Sequence, residues 1–251
     1  MIRRFLEHIS RNVVIRRKLP AAFRNGPLLV SPGASLRYWK SDLEAADPML
    51  LDTARSHLRP GDVVWDIGAN VGLFTFAAAN VVGPGGQVLA VEADTWLVSL
   101  LRRSANLEAN RDLQVDILPA AVSDRVGIST FHIAARGRAA NYLATSNGST
   151  QSGGVREVQL VPTVSLDWLL TEYHTAPTFI KIDVEGAEEQ VLRGAERVLA
   201  TVRPTVLCEV SAQACAGVTK ILKGYGYLLY DPKSARPVEQ ATYNTLACPA
   251  T

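Results

Sequence analysis

The residues with the clearest chemical potential lie in Val63–Thr75, VVWDIGANVGLFT, where an apolar run turns into a helical pattern. Their spacing is Asp66-x-Gly68-x-Asn70-x-Gly72. The glycines permit backbone angles and close approaches that a Cβ blocks, so a flat polar ligand can lie against the turn and the helix N-terminus behind it. A turn that seats a pyrophosphate prefers Gly-x-Gly-x-x-Gly. This one opens on a carboxylate, which repels pyrophosphate and suits a cation. S-adenosylmethionine carries an ammonium and a sulfonium and no phosphate, so the charge of Asp66 favours it as the ligand, with Gly68, Asn70, Gly72 and Thr75 completing the turn. About 20 residues on, Glu92 ends the run Val88–Glu92, where a carboxylate accepts both hydroxyls of a ribose. Asp124, in Ala121-Val122-Ser123-Asp124, is placed near an adenine amine, a position that an ordinary turn residue fills equally well.

Three more acids follow two later apolar runs. Phe179-Ile180-Lys181-Ile182-Asp183-Val184-Glu185-Gly186 delivers Asp183 and Glu185, and Val206-Leu207-Cys208-Glu209 delivers Glu209, to the carboxyl edge of a sheet. Open α/β sheets bind their ligands at that edge. Two functional readings compete with a structural one. Asp183 and Glu209 can ligate a divalent, oxygen-seeking ion such as Mg²⁺, or the acids can serve as a general base and as hydrogen-bond partners of an acceptor. Structurally, they can satisfy helix N-termini and Lys181. Histidine is the alternative base. Of His8, His57, His132 and His174, it is His132, in Thr130-Phe131-His132-Ile133, that points into the cleft if its strand alternates favourably. Asn141 and Tyr142 are placed to contact the acceptor.

The elements that must position these groups read as an α/β fold. From Asp62 onward, short apolar runs alternate with helical stretches, the pattern of strand-helix-strand units in a parallel sheet. Seven strands are predicted: 63–67, 87–91, 113–118, 178–182, 205–210, 227–230 and one near 243–247. Helices are predicted at 71–82, 96–109, 187–199 and 212–224. The polar stretch 123–161 interrupts the alternation and reads as an insertion or lid at the acceptor site.

Ahead of this domain, residues 1–60 read as a basic helix and a lead-in packed on the core. Ile2, Phe5, Leu6, Ile9 and Val13 recur at helical spacing among arginines, predicting an amphipathic helix over 2–18. Its apolar stripe needs a partner: the core, a second subunit through residues 1–18, or an anionic membrane surface. Extended pieces are expected at 28–30 and 36–39, and a helix at 48–58. The 251 residues suffice for one large core. The net charge of +2 is concentrated at the N-terminus, so no nucleic-acid partner is expected of the domain. Three cysteines without metal-ligand spacing, and no apolar run near the roughly 20 residues that span a bilayer, point to a reducing, cytoplasmic setting.

Asp66–Thr75, Ala121–Asp124, Val164–Asp167, and Ile180–Glu188 followed by Val191–Glu196 together resemble the FkbM family of methyltransferases. The resemblance runs in order from Asp62 to Glu209. It implies a class I methyltransferase (Rossmann-like) fold: a seven-stranded, mostly parallel sheet with helices on both faces, here with an N-terminal helical extension. It also implies methyl transfer from S-adenosylmethionine to a hydroxyl of a small sugar, glycolipid or secondary-metabolite acceptor. One departure is visible, since the family usually follows its ribose carboxylate with Pro and this chain has Ala93-Asp94. Presenting such a hydroxyl as an alkoxide at neutral pH costs on the order of 7 kcal/mol, which a base or a metal must help supply. Asp183, His132 and Glu209 are the catalytic expectations. Two rivals stay open: a nucleotide-dependent oxidoreductase, and a catalytically silent module of the same fold.

Overall fold

The computed structural model describes residues 13–146 and 153–250. The lead-in contains strands β1 (Ile15–Lys18) and β2 (Pro27–Val30) and helix α1 (Pro48–His57). The domain then runs β3 (Val63–Ile67), α2 (Leu73–Val82), β4 (Gln87–Glu92), α3 (Thr95–Ala105) and β5 (Val115–Pro119). An inserted group follows: β6 (Ala121–Val122), β7 (Gly127–Ala134), β8 (Tyr142–Leu143) and β9 (Val155–Val164). The chain closes with α4 (Leu166–Glu172), β10 (Phe179–Ile182), α5 (Glu188–Arg193), β11 (Thr205–Glu209), α6 (Cys215–Gly224), β12 (Tyr227–Tyr230) and β13 (Asn244–Pro249).

Seven strands form the central sheet in the order β12-β13-β11-β10-β3-β4-β5. All neighbours from β11 to β5 are parallel, and β13 runs antiparallel to both β11 and β12. The middle strands β3, β4 and β10 are buried almost throughout, which explains their continuous apolar runs: a parallel sheet is covered on both faces. One face packs Val64, Val88 and Phe179 against Leu51, Phe76 and Leu101 of α1, α2 and α3. The other packs Trp65, Leu89 and Ile180 against Leu169, Val191 and Val218 of α4, α5 and α6. The fold is that of a class I methyltransferase. Leu19, Phe23 and Leu28 of the lead-in share the first of these cores.

Several local expectations are corrected. Residues 15–18, placed in a helix by periodicity, form β1 paired antiparallel with β2, and Arg17 is held by the carbonyls of Trp39 and Lys40, each at 3.0 Å. Val13-Val14-Ile15 is a β-branched run, which fits a strand better than a helix. Residues 2–12 of the predicted amphipathic helix lie outside the described residues. Leu36–Trp39 is a 3-10 turn, not an extended piece. The insertion is not a structureless lid: its strands form a second sheet, β6-β9-β7-β8, with β7 and β9 as its antiparallel spine. Helix α5 ends at Arg193 and is followed by Gly194, which packs so closely on the Ser123 carbonyl that a Cβ would come within 2.4 Å. Helix α4, unpredicted, is capped by the Ser165 hydroxyl accepting from Trp168 N at 3.1 Å. No described helix is long and apolar enough to cross a membrane.

Candidate active site

The glycine turn after β3 is shaped by two close approaches. Gly68 has φ +76°, and a Cβ there would lie 1.9 Å from the Asp183 carbonyl oxygen, so the turn rests directly on the end of β10. Gly72 has φ +88° and packs against Leu101 and Phe76, seating α2 on α3. Between them Asn70 adopts a left-handed φ of 53°, which asparagine tolerates because its short side chain bonds locally. Here Asn70 Oδ1 accepts from Val71 N at 2.8 Å.

Asp66 does not face a ligand. It is fully buried, with Oδ2 accepting from the Thr75 hydroxyl at 2.6 Å and Oδ1 ion-paired with Lys181 Nζ at 3.1 Å. Lys181 also donates to Gly68 O at 2.7 Å and lies 3.5 Å from Asp183 Oδ2. Burial alone would depress the Lys181 ammonium, but Asp66 and Asp183 more than compensate and raise its pKa. Asp66, Thr75 and Lys181 thus form an internal brace under the turn. Asp66, Gly72 and Thr75, expected at the ligand, lie beneath the turn and do not line the cleft.

Above the brace opens a cleft of about 570 Å³, counting the space open to solvent. Gly68, Asn70 and Glu92 line one side, Asp183 and Glu185 another. Ala121, Val122, Phe131 and Leu143 supply an apolar end. Glu92 is almost fully buried, its two carboxylate oxygens accepting from Asn70 N and Asp94 N at 2.8 Å each. Burial, reinforced by Asp94, pushes its carboxyl up to about 7 against those amides. Each oxygen keeps a lone pair for a ligand hydroxyl. The repulsion of phosphate, attributed above to Asp66, falls to Glu92, Asp183 and Glu185, since Arg138 is the one cation lining the cleft among the described residues.

Arg138 and Asn141 roof the cleft from the insertion. The fully buried Asp94 accepts from Asn141 Nδ2 at 2.8 Å and from Arg138 Nη1 in a short ion pair, while its other oxygen caps α3 by accepting from Trp96 N at 2.9 Å. The Arg138 guanidinium stacks on Trp96, 4.7 Å from the ring centroid. Backbone bonds from Arg138 N to Gly33 O and from Ala139 N to Ala34 O, both at 3.1 Å, tie the same turn to the lead-in. This latch was invisible in the sequence, and the Ala93-Asp94 departure from the family pattern is its anchor.

At the other end of the cleft, Asp183, Glu185 and Glu209 each bring one carboxylate oxygen within 4.8 Å of the others. Glu185 sits in a left-handed turn at φ 49°. Burial, then the repulsion of Asp183 and Glu209, raises its carboxyl to about 8. Glu209 is raised to about 7 by burial and Asp183, against a hydrogen bond donated by the Tyr243 hydroxyl. Arg37 of the lead-in, ion-paired with Asp47, helps keep Glu209 ionised. Tyr243 and Arg37 lacked any sequence signal.

His132 and Asp124 are removed from the site. In β7, Phe131 faces the cleft while His132 pairs with Val158 on the opposite, outer face beside exposed Leu160, its ring edge-on to Tyr142 at 5.0 Å. Strand alternation therefore takes both His132 and Tyr142 away from the acids. Asp124 is exposed and, among the described residues, accepts from the Ser123 hydroxyl at 3.3 Å. Asp167 of the Val164–Asp167 motif is structural, accepting from Arg197 N and Val198 N.

Residues 66–229 match the methyltransferase FkbM domain, a span of more than half the chain. The chain belongs to the FkbM methyltransferase family. It is 31% identical over 196 residues, 68% of this chain and 74% of the relative, to the 31-O-demethyl-FK506 methyltransferase FkbM of Streptomyces tacrolimicus. Solved structures with similarity include the precorrin-6y C5,15-methyltransferase of Geobacter metallireducens GS-15, at 15% identity and a TM-score of 0.49 over 82% of this chain and 88% of that one. Another is a methyltransferase FkbM from Methylobacillus flagellatus KT, at 18% identity and 0.47 over 78% and 47%. Family membership makes the chain an S-adenosylmethionine-dependent methyltransferase.

Proposed function

We propose that this FkbM-family chain methylates a hydroxyl oxygen of a small, sugar-like or secondary-metabolite acceptor. The observation that carries the reading is the acid group at the cleft's end: Asp183 and Glu185 line the cleft, with Glu209 within 4.8 Å. A carboxyl raised to about 8, as Glu185 is, makes a much stronger base in its ionised form than an ordinary carboxylate, and that form is populated at neutral to mildly alkaline pH. The relative's name, a methyltransferase for a 31-O-demethyl substrate, supports oxygen as the receiving atom.

Bound S-adenosylmethionine supplies an electrophilic sulfonium methyl. Glu92 and the Asn70 turn hold the nucleoside through its ribose, and the Arg138–Asn141 roof excludes water. Asp183 accepts a hydrogen bond from the acceptor hydroxyl and orients it. Ionised Glu185 would take the hydroxyl proton as the oxygen bonds to the methyl carbon and the carbon–sulfur bond breaks, its electron pair passing to sulfur to leave S-adenosylhomocysteine. Holding both partners in line contributes roughly 7–11 kcal/mol towards the barrier.

A divalent cation on Asp183, Glu185 and Glu209 is a second reading, favoured by the same 4.8 Å convergence. Against it, Lys181 already places a positive charge 3.5 Å from Asp183 Oδ2. Incubation with methyl-¹³C-labelled S-adenosylmethionine and a panel of hydroxylated acceptors, followed by NMR, tests the main reading: a methyl ether signal with release of S-adenosylhomocysteine supports it. Tight binding of S-adenosylhomocysteine without turnover on any acceptor would indicate a silent module instead. Activity lost to EDTA and restored by Mg²⁺ would move the mechanism to the metal.

A further inference from the structure

The positive charge of the chain is segregated. Residues 1–41 contain nine Lys and Arg and a single acid, Glu7, and the next acid is Asp42. The rest of the chain is acidic overall, since the whole has 26 Lys and Arg against 24 Asp and Glu. The described part of this basic stretch gathers on the outside of the lead-in. Arg16 and Lys18 occupy the exposed positions of β1, whose other face packs Ile15 on the core. Arg24 is exposed in the connection to β2. Arg17, held by the Trp39 and Lys40 carbonyls, draws the turn that carries them against β1, and both of those side chains are exposed, Trp39 by 42%. Among the described residues, none of Arg16, Lys18, Arg24 and Lys40 pairs with an acid.

A basic edge strand by itself guards against unwanted strand pairing. An exposed tryptophan beside it does not. Tryptophan next to unpaired Lys and Arg suits the boundary between headgroups and acyl chains, where its ring is half in apolar surroundings and its N–H stays wet. The sequence immediately ahead of β1 has the same mixture, Ile2, Phe5, Leu6 and Ile9 among three more arginines. Phosphates of a nucleic acid would engage the cations and leave the apolar residues without a partner. The surface also adjoins the acid end of the cleft: Arg37 shares a 3-10 turn with Trp39, and its charge is felt at Glu209.

We propose that the lead-in is a docking surface for an anionic lipid bilayer, with Arg16, Lys18, Arg24 and Lys40 on the headgroups and Trp39 in the interface, which holds the acid end of the cleft beside the membrane. The assignment is independent of which atom receives the methyl group.

The test uses the full chain, mixed with vesicles of phosphatidylcholine and phosphatidylglycerol in equal parts or of phosphatidylcholine alone, and reads bound protein by flotation. Binding to the anionic vesicles is expected, weakening as added salt screens the charges. Lys18→Gln and Arg24→Gln should each weaken it about fivefold, and the double variant about 25-fold, the effect of removing one and two cations from an anionic surface. Tryptophan emission should shift to the blue on the anionic vesicles, and Trp39→Ala should remove that shift. Unchanged S-adenosylhomocysteine affinity verifies that the variants fold. No flotation with anionic vesicles, equal flotation with neutral ones, or flotation unaltered in the double variant would overturn the surface. So would tighter binding to a duplex oligonucleotide than to the vesicles, or salt-dependent self-association that the same variants abolish in place of vesicle binding. Those results would give the cations to a nucleic acid or to the acidic domain of a second copy.

Discussion

Replacing Arg138 with alanine should open the roof of the donor cleft. Its guanidinium pairs with Asp94 Oδ2, a carboxylate with no solvent exposure, and its own side chain is 10% exposed. A hydrogen bond to a charged group at such a site contributes about 1.5–3 kcal/mol, and stacking on Trp96 adds to it. The variant leaves Asp94 with the Asn141 amide and the Trp96 N–H, so the turn loses its strongest tie while α3 keeps its cap. If closure of that turn is coupled to donor binding, S-adenosylhomocysteine should bind about 10- to 150-fold more weakly, at 1.4 kcal/mol per tenfold. The change should appear mainly as faster dissociation. Stopped-flow displacement gives the rate and calorimetry the affinity. Arg138→Lys should recover part of the loss, because it keeps the charge and gives up the planar stacking. Unchanged affinity and dissociation in a folded Arg138→Ala protein would refute the latch.

Three further outcomes follow from the buried charges and the turn. Lys181→Met should destabilise the fold by about 3–5 kcal/mol in urea denaturation, because Asp66 is left buried without its cation; a loss under 1 kcal/mol would show the brace to be unimportant. Glu185 and Glu209 hold protons to about pH 8 and 7 against an ordinary value of 4.5, so the folded state binds protons that the unfolded chain releases. That stabilisation is complete below about pH 4.5 and is lost as pH rises through 7 to 8, so the Tm of the ligand-free protein should fall across that window and Glu185→Gln should flatten the fall. Gly68→Ala should abolish S-adenosylhomocysteine binding in calorimetry or prevent folding seen by circular dichroism, since its Cβ would sit 1.9 Å from the Asp183 carbonyl; normal binding would mean the turn relaxes freely.

What the sequence made legible and what it hid divide along physical lines. The central strands were readable because β3, β4 and β10 are buried on both faces and therefore written as unbroken apolar runs. Glu92 was readable for a related reason: a charge that closes such a run marks the sheet's carboxyl edge. Asp66 looked like its equal, yet its charge is cancelled by Lys181 from the neighbouring strand β10, in register directly beside it. Pairing across a parallel sheet depends on which strands are neighbours, and local sequence does not record that.

The insertion was the harder case. Its Gly- and Ser-rich composition hides strands of which β7, β8 and β9 pair antiparallel while β6 joins β9 in parallel, and β7 carries the irregularity at Ile133/Ala134 that makes its inward face uncertain from alternation alone. Shifting the face by one residue exchanges Phe131 for His132, an apolar wall for a base. The roof depends on Arg138 and Asn141 meeting Asp94 across 44 and 47 positions of chain, a tertiary coincidence without periodicity. Family-level chemistry therefore reads out through strand ends, while the groups that close this cleft emerge only once the insertion is folded onto it.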